Sequence, residues 1–259
     1  MKEFFGFGGY TREAEGFLSW QHLLFVSTLM AIMVALAIIL GKKNREKDIS
    51  ERNKVLVIAA ILIDSFEIFK IIILCIRSQS INGLLLNLPL FLCSIQLIAI
   101  PMAAFSRGRL KQACTDFVFI FGLLGAVLGT YGAGNNYSCY PVLSFDNVVS
   151  GITHSISGFS ALYIAIAGLA SMKKENIYIT FSIFGGFCLL AFIANAILDY
   201  NYMFLRRGDG TPYDIFYNLV NGNKVLYPMI VVLLFIIYIA VFYYVYFLCT
   251  KKKHKINEE

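Results

Sequence analysis

Seven uninterrupted apolar runs constrain this chain more than any motif does. Each is close to the roughly 20 residues that a helix rising about 1.5 Å per residue needs to cross about 30 Å of hydrocarbon. They lie approximately at residues 20–40, 55–76, 85–105, 114–128, 148–169, 177–198 and 228–249. Backbone in lipid must bond to itself, and the runs lack the period-two alternation of barrel strands, so helices are predicted. With 58% hydrophobic and 15% charged residues, the chain would not stay dissolved as a globule. The polar connections are short, and no appended soluble domain is expected. The prediction is an all-α membrane protein in which residues 1–259 form a single domain, one bundle of seven transmembrane helices. The first run ends in Gly41-Lys42-Lys43, a stop-transfer pattern without a small-residue cleavage site, so it is expected to be retained rather than cleaved as a signal peptide.

Orientation follows from the basic residues. Fifteen of the 22 lysines and arginines fall in the connections of one side: from Lys42 to Lys54, from Arg107 to Lys111, at Lys173 and Lys174, and from Lys251 to Lys255. Six fall on the other side and Lys70 lies within a run. Basic residues near span ends are retained in the cytoplasm, which predicts an outside N-terminus and a cytoplasmic C-terminus. The net charge of +6 is thus a topology signal, and no nucleic-acid partner is inferred from it. The six cysteines show no CxxC and no regular spacing, so they form no disulfide framework; Cys75 and Cys139 alone fall near the outer side, where a bridge is conceivable. His22, His154 and His254 are too scattered for a metal site, and neither metal nor cofactor is expected.

The chemistry-bearing residues converge in depth. Counted from the outer helix ends at about 1.5 Å per residue, Cys93 lies about 12 Å in, His154 and Lys70 about 9 Å, Glu67 about 14 Å and Asp64 about 18 Å. Ionisable groups in hydrocarbon cost several kcal/mol unless paired or hydrated. Asp64, Glu67 and Lys70, spaced by three, are therefore expected to face the interior, either lining a polar cavity or forming a Glu67–Lys70 pair that merely joins helices. Cys93 is expected on a helix face with Pro89 and Gln96, where the proline bends the helix beside the thiol. Read alone, it is a small inert hydrophobe. His154 is the only histidine expected deep in a run; it shares a face with Ser150 and Ser157, which could hold one tautomer, and read alone it is a packing histidine. Asn195, Asp199 and Tyr202, with Asn201 adjacent, form a polar stripe that either receives a lipid head group or caps the sixth helix. Gly122, Gly125 and Gly129 read as close helix packing.

Three phrases carry a resemblance: Leu88-Pro89-Leu90-Phe91-Leu92-Cys93, then Tyr140-Pro141-Val142-Leu143-Ser144-Phe145 leading to His154, then Asn201-Tyr202-Met203-Phe204-Leu205. In the same order, and over nearly the whole chain, they closely resemble the landmarks of YwaF-type integral membrane proteins. The same landmarks relate that family to the transmembrane protein 164 acyltransferases and, more remotely, to the androgen-induced-gene hydrolases of lipid esters. The resemblance implies a multi-pass protein of the cell membrane, of bacterial plasma-membrane type. It further implies that Cys93 and His154 correspond to the cysteine and histidine of acyl transfer between phospholipids. The expected function is a cysteine/histidine-dependent acyltransferase or hydrolase acting on membrane phospholipids through a thioester. On the chemistry of the residues, Glu67 or Gln96 would orient His154 or support an oxyanion, and Lys70, Asn201 and Tyr202 would bind or orient substrate. The residues alone leave open a non-enzymatic transporter or sensor whose polar path runs past Asp64, Glu67, Lys70 and His154, although no inverted repeat supports it.

Overall fold

The computed structural model describes residues 1–256, with side chains as far as Thr250, so the basic tail from Lys251 to Lys255, with His254, lies outside the described side chains. Among the described residues the chain is helical and has no strand. The helices are α1 (Trp20–Asn44), α2 (Ile49–Ser78), α3 (Asn82–Leu85), α4 (Gln96–Phe105), α5 (Gly108–Thr130), α6 (Gly134–Cys139), α7 (Phe145–Ile166), α8 (Ile177–Leu198), α9 (Asp214–Leu219) and α10 (Leu226–Ile256). Five of them, α1, α5, α7, α8 and α10, are long and apolar enough to cross a membrane. Their outward faces are rich in leucine, isoleucine and valine, an apolar exterior that a water-soluble fold does not carry.

The other two predicted runs differ for distinct physical reasons. The second lies in α2, which at 30 residues is long enough but carries Asp64, Glu67 and Lys70 in its middle. The third, expected as one bent helix over 85–105, is broken. The chain leaves α3 at Leu85, follows turns, and becomes regular again only at Gln96. Pro89 has no N–H to donate and disfavours helical backbone at the residue before it. The Ser94 hydroxyl then donates to the Phe91 carbonyl and accepts from the Phe91 N–H, both at 3.0 Å, closing a local turn in which the same carbonyl also accepts from the Ile95 N–H at 2.9 Å. Cys93 consequently sits in the turn that leads into α4, and not on a helix face shared with Pro89 and Gln96.

The chain divides into two compact units, the first from Met1 to Ser171 and the second from Met172 onward. In the first, α7 packs against α1, α2 and α5. Small residues let the backbones approach: a Cβ on Gly122 would strike the Ser157 carbonyl and Ala161, and one on Gly158 would strike Met33 and Ala126. The Ser157 hydroxyl donates to the Gly122 carbonyl at 3.2 Å, so it stitches this seam and does not hold His154. The lysine- and arginine-rich end is tied by Tyr163, donating to the Arg52 carbonyl at 2.8 Å, and by Lys111, donating to Asn53 at 2.6 Å. His22, overlooked as a buried histidine, is fully enclosed: it bonds through Nε2 to the Thr130 carbonyl at 3.1 Å and stacks on Tyr137. Its polar capacity is spent on packing. All six cysteines are free thiols, Cys75 and Cys139 among them.

At the opposite end of this unit the N-terminal segment is clamped down. Arg77 grips Asp146 with both guanidinium nitrogens, at 2.7 and 2.9 Å, and joins the end of α2 to the start of α7. Tyr10 donates to the same carboxylate, Glu15 accepts from the Val142 N–H at 2.7 Å, and the Phe5 ring packs on Phe145.

In the second unit, Thr180 and Tyr243 share a 3.0 Å hydroxyl bond that ties α8 to α10. The polar stripe after α8 is not a continuation of the helix. Asp199 takes a left-handed cap conformation, and Asn195 clamps the Tyr202 backbone, accepting from its N–H at 2.5 Å and donating to its carbonyl at 3.0 Å. This is the capping alternative.

Removing one partner of a largely desolvated pair costs about 3–5 kcal/mol. Asp146→Asn is therefore expected to release the N-terminal segment, read as faster hydrogen exchange over residues 1–18; unchanged exchange would refute the clamp. Burial, and then the bond to Asp146, push Tyr10 up to about 12. Its contribution is therefore complete below about pH 10 and fades as pH rises through its folded value.

Candidate functional site

A cavity of about 130 Å³ opens in the first unit. Ile63, Glu67 and Lys70 line it from α2, and Leu86, Asn87, Leu88, Phe91, Cys93 and Ser94 from the broken stretch. Leu97 of α4 and Ser150, Thr153 and His154 of α7 complete the wall. The break in the third run makes this space, because a continuous helix would place only a minority of these residues on one side.

Cys93 and His154, far apart in sequence, meet here. The thiol and the imidazole stand close enough to interact directly, and the backbone N–H groups of Cys93 and Ser94 also approach the sulfur. Because the turn leads directly into α4, the sulfur lies near that helix's N-terminus, whose partial positive charge suits an anion. On the other partner, His154 Nδ1 donates to the Ser150 carbonyl at 2.7 Å, one turn back on α7. That bond assigns the proton to Nδ1 and leaves Nε2 as the ring's acceptor. The imidazole is thus oriented by backbone, and the expected serine pair contributes through the Ser150 carbonyl alone. Ser150 Oγ stands 3.4 Å from Nδ1, at the limit of contact.

Glycine gives the imidazole its room. A Cβ on Gly129 would overlap the His154 ring, and one on Gly125 would come within 3.4 Å of Cys93 Cα. The two glycines, four apart on α5, present one strip of bare backbone against which both residues lie. Sequence reading assigned them to helix packing, and the i, i+4 spacing gave no sign of which side chains they admit.

The remaining candidates separate. Glu67 and Lys70 line the cavity and pair with each other at 2.5 Å; no bond from Glu67 to His154 is present among the described residues. Asp64 is not among the lining residues. Gln96 is completely buried, and neither amide atom has a hydrogen-bond partner among the described residues. Asn201 and Tyr202 belong to the second unit, where Asn201 accepts from the Arg206 N–H at 2.9 Å and donates to Asp209 at 2.7 Å, folding the loop.

Misplacement of a reacting pair by about 1 Å costs on the order of 10²-fold. Gly129→Ala should therefore slow alkylation of Cys93 by a lipid-like electrophile by that order. Gly185→Ala, where a Cβ meets nothing within 4 Å, should leave it unchanged. Equal rates in the Gly129 variant and the unsubstituted protein would sink the slot as the determinant of imidazole position.

Comparison with curated proteins and with solved structures gives no match. A family model does match, over residues 17–246, a span that takes in both units and every residue lining the cavity. The helices, their apolar exteriors and this match together make the chain a multi-pass membrane protein that belongs to the TMEM164 family.

Proposed function

We propose that the chain is an acyltransferase, or hydrolase, that moves acyl groups from membrane phospholipids through a thioester on Cys93, with His154 as general base. The observation that carries this reading is the thiol and imidazole brought together on the wall of one cavity, with the ring's Nδ1 pinned to a backbone carbonyl. An inert packing cysteine needs neither a base nor an oriented one. Membership of the TMEM164 family is consistent with acyl-transfer chemistry.

His154 Nε2 takes the Cys93 proton as the sulfur attacks the ester carbonyl. The tetrahedral intermediate collapses, the C–O bond breaks, and the leaving alkoxide receives that proton from His154, releasing a lysolipid and leaving the acyl group on sulfur. An acceptor hydroxyl, or water, next gives its proton to Nε2 and attacks the thioester. Collapse returns the proton to sulfur and restores the thiol. The Cys93 and Ser94 N–H groups beside the sulfur are candidates for stabilising negative charge during both steps. The donor's acyl chains would remain in the bilayer, with the ester entering the cavity sideways to reach Cys93.

The same reading includes seven crossings, with α2 and the α3–α4 stretch added to the five apolar helices. It also includes an outside N-terminus, a cytoplasmic C-terminus and residence in a bacterial plasma membrane. The basic residues gathered at one end of the first unit support the orientation.

Mass spectrometry after incubation with phospholipid should find a thioester-linked acyl chain on Cys93 that Cys93→Ala removes. His154→Gln should form it about 10²–10⁴-fold more slowly, the usual contribution of a general base. Full acyl transfer by the Cys93→Ala protein would end the proposal.

A further inference from the structure

Lys70 is distinguished by what its neighbours leave open. Three other polar side chains of the cavity each donate to a nearby backbone carbonyl: Asn87 to that of Gly83 at 2.9 Å, Thr153 to that of Ser150 at 3.0 Å and Ser94 to that of Phe91 at 3.0 Å. An ammonium has three donors. Among the described residues Lys70 has a single polar partner, Glu67, at 2.5 Å. Two donors therefore remain on a cation that is only 16% exposed and lines the same cavity as Cys93.

A structural explanation of the pair is weak. Glu67 and Lys70 are three apart on one helix, so their bond joins no two elements, and desolvating them gains no tertiary link in return. What the arrangement provides is an ammonium on the cavity wall with one donor taken by Glu67. A carboxylate that occupies one donor leaves the others for a second anion.

We infer that Lys70 is a specificity-determining residue that binds the phosphate of the acyl donor, so that the site takes glycerophospholipids in preference to neutral glycerides. The inference rests on the acyl-transfer reading and narrows it. The phosphodiester is the anion nearest the esters of a glycerophospholipid, and Lys70 and Cys93 line the same cavity. A neutral glyceride would leave the two donors unmatched in a half-buried site, which selects against it.

The test measures Cys93 thioester formation by the full-length protein in neutral detergent, with phosphatidylcholine or diacylglycerol as donor, and takes the ratio of the two rates. The unsubstituted protein should favour phosphatidylcholine. Lys70→Gln should lower the ratio about tenfold or more, the worth of a charge-assisted bond. Lys70→Arg should retain it. The double variant Glu67→Gln/Lys70→Gln, which leaves no unpaired charge, should lose it as Lys70→Gln does. A ratio unchanged in both glutamine variants, including a parallel fall with both donors, overturns the inference. So does full acylation from diacylglycerol once inorganic phosphate is added, because Lys70 would then be reading a free anion. No thioester from either donor in the unsubstituted protein overturns acyl transfer itself, which is a different failure.

Discussion

Hydrocarbon supplies no hydrogen bonds, so a chain crossing it must pair its backbone internally, and the structure around the cavity depends on how that demand is met at one break. Helices satisfy it automatically. Between Leu85 and Gln96 the regular helix is lost, and side chains supplement short backbone turns: Ser94 bonds both the N–H and the carbonyl of Phe91, Asn87 donates to the Gly83 carbonyl, and the Ile95 N–H reaches the Phe91 carbonyl. Irregular backbone at membrane depth is tolerated where protein or a cavity surrounds it. Here it wraps a cavity, and the thiol stands at its rim.

The electrostatics of this space are self-contained. Glu67 and Lys70 pair within one helix at 2.5 Å, so neither charge on the cavity wall stands without an opposite partner. A buried charge without a partner would be far more costly than the pair. Gln96 stands outside this economy of bonds, with both amide atoms unmatched among the described residues in a fully buried position.

Much of the architecture was legible in the sequence because it depends on quantities that add along the chain. Apolar length gives the helices, and five pass on length and composition together. Depth, read as residue count, placed Cys93, His154, Glu67 and Lys70 in one layer, and all four line one cavity. Azimuth and backbone pairing do not add in this way. Hydropathy saw residues 85–105 as uniform, although Pro89 and Ser94 make that stretch unable to remain one helix. It also missed His22, whose place near the start of α1 hid that Thr130 and Tyr137 close over it. Ser157 lay on the predicted face yet turned to the Gly122 carbonyl, because a helix neighbour offered a nearer acceptor. The stripe at Asn195, Asp199 and Tyr202 assumed that the helix continues, whereas it ends at Leu198 and the side chains shape the loop.

The bare strip at Gly125 and Gly129 has a wider consequence. The thiol is carried by the lead-in to α4 and the imidazole by α7, two elements that share little surface with each other, whereas both pack on α5. The thiol and the imidazole therefore have no common mount of their own, and their alignment is inherited from a third body, as two tools are held true by one jig. Transplanting this pair into another bundle would take a three-helix cassette, because copying two residues would leave their spacing undefined. Drift in the family at positions facing that strip would be felt as misalignment before it was felt as unfolding.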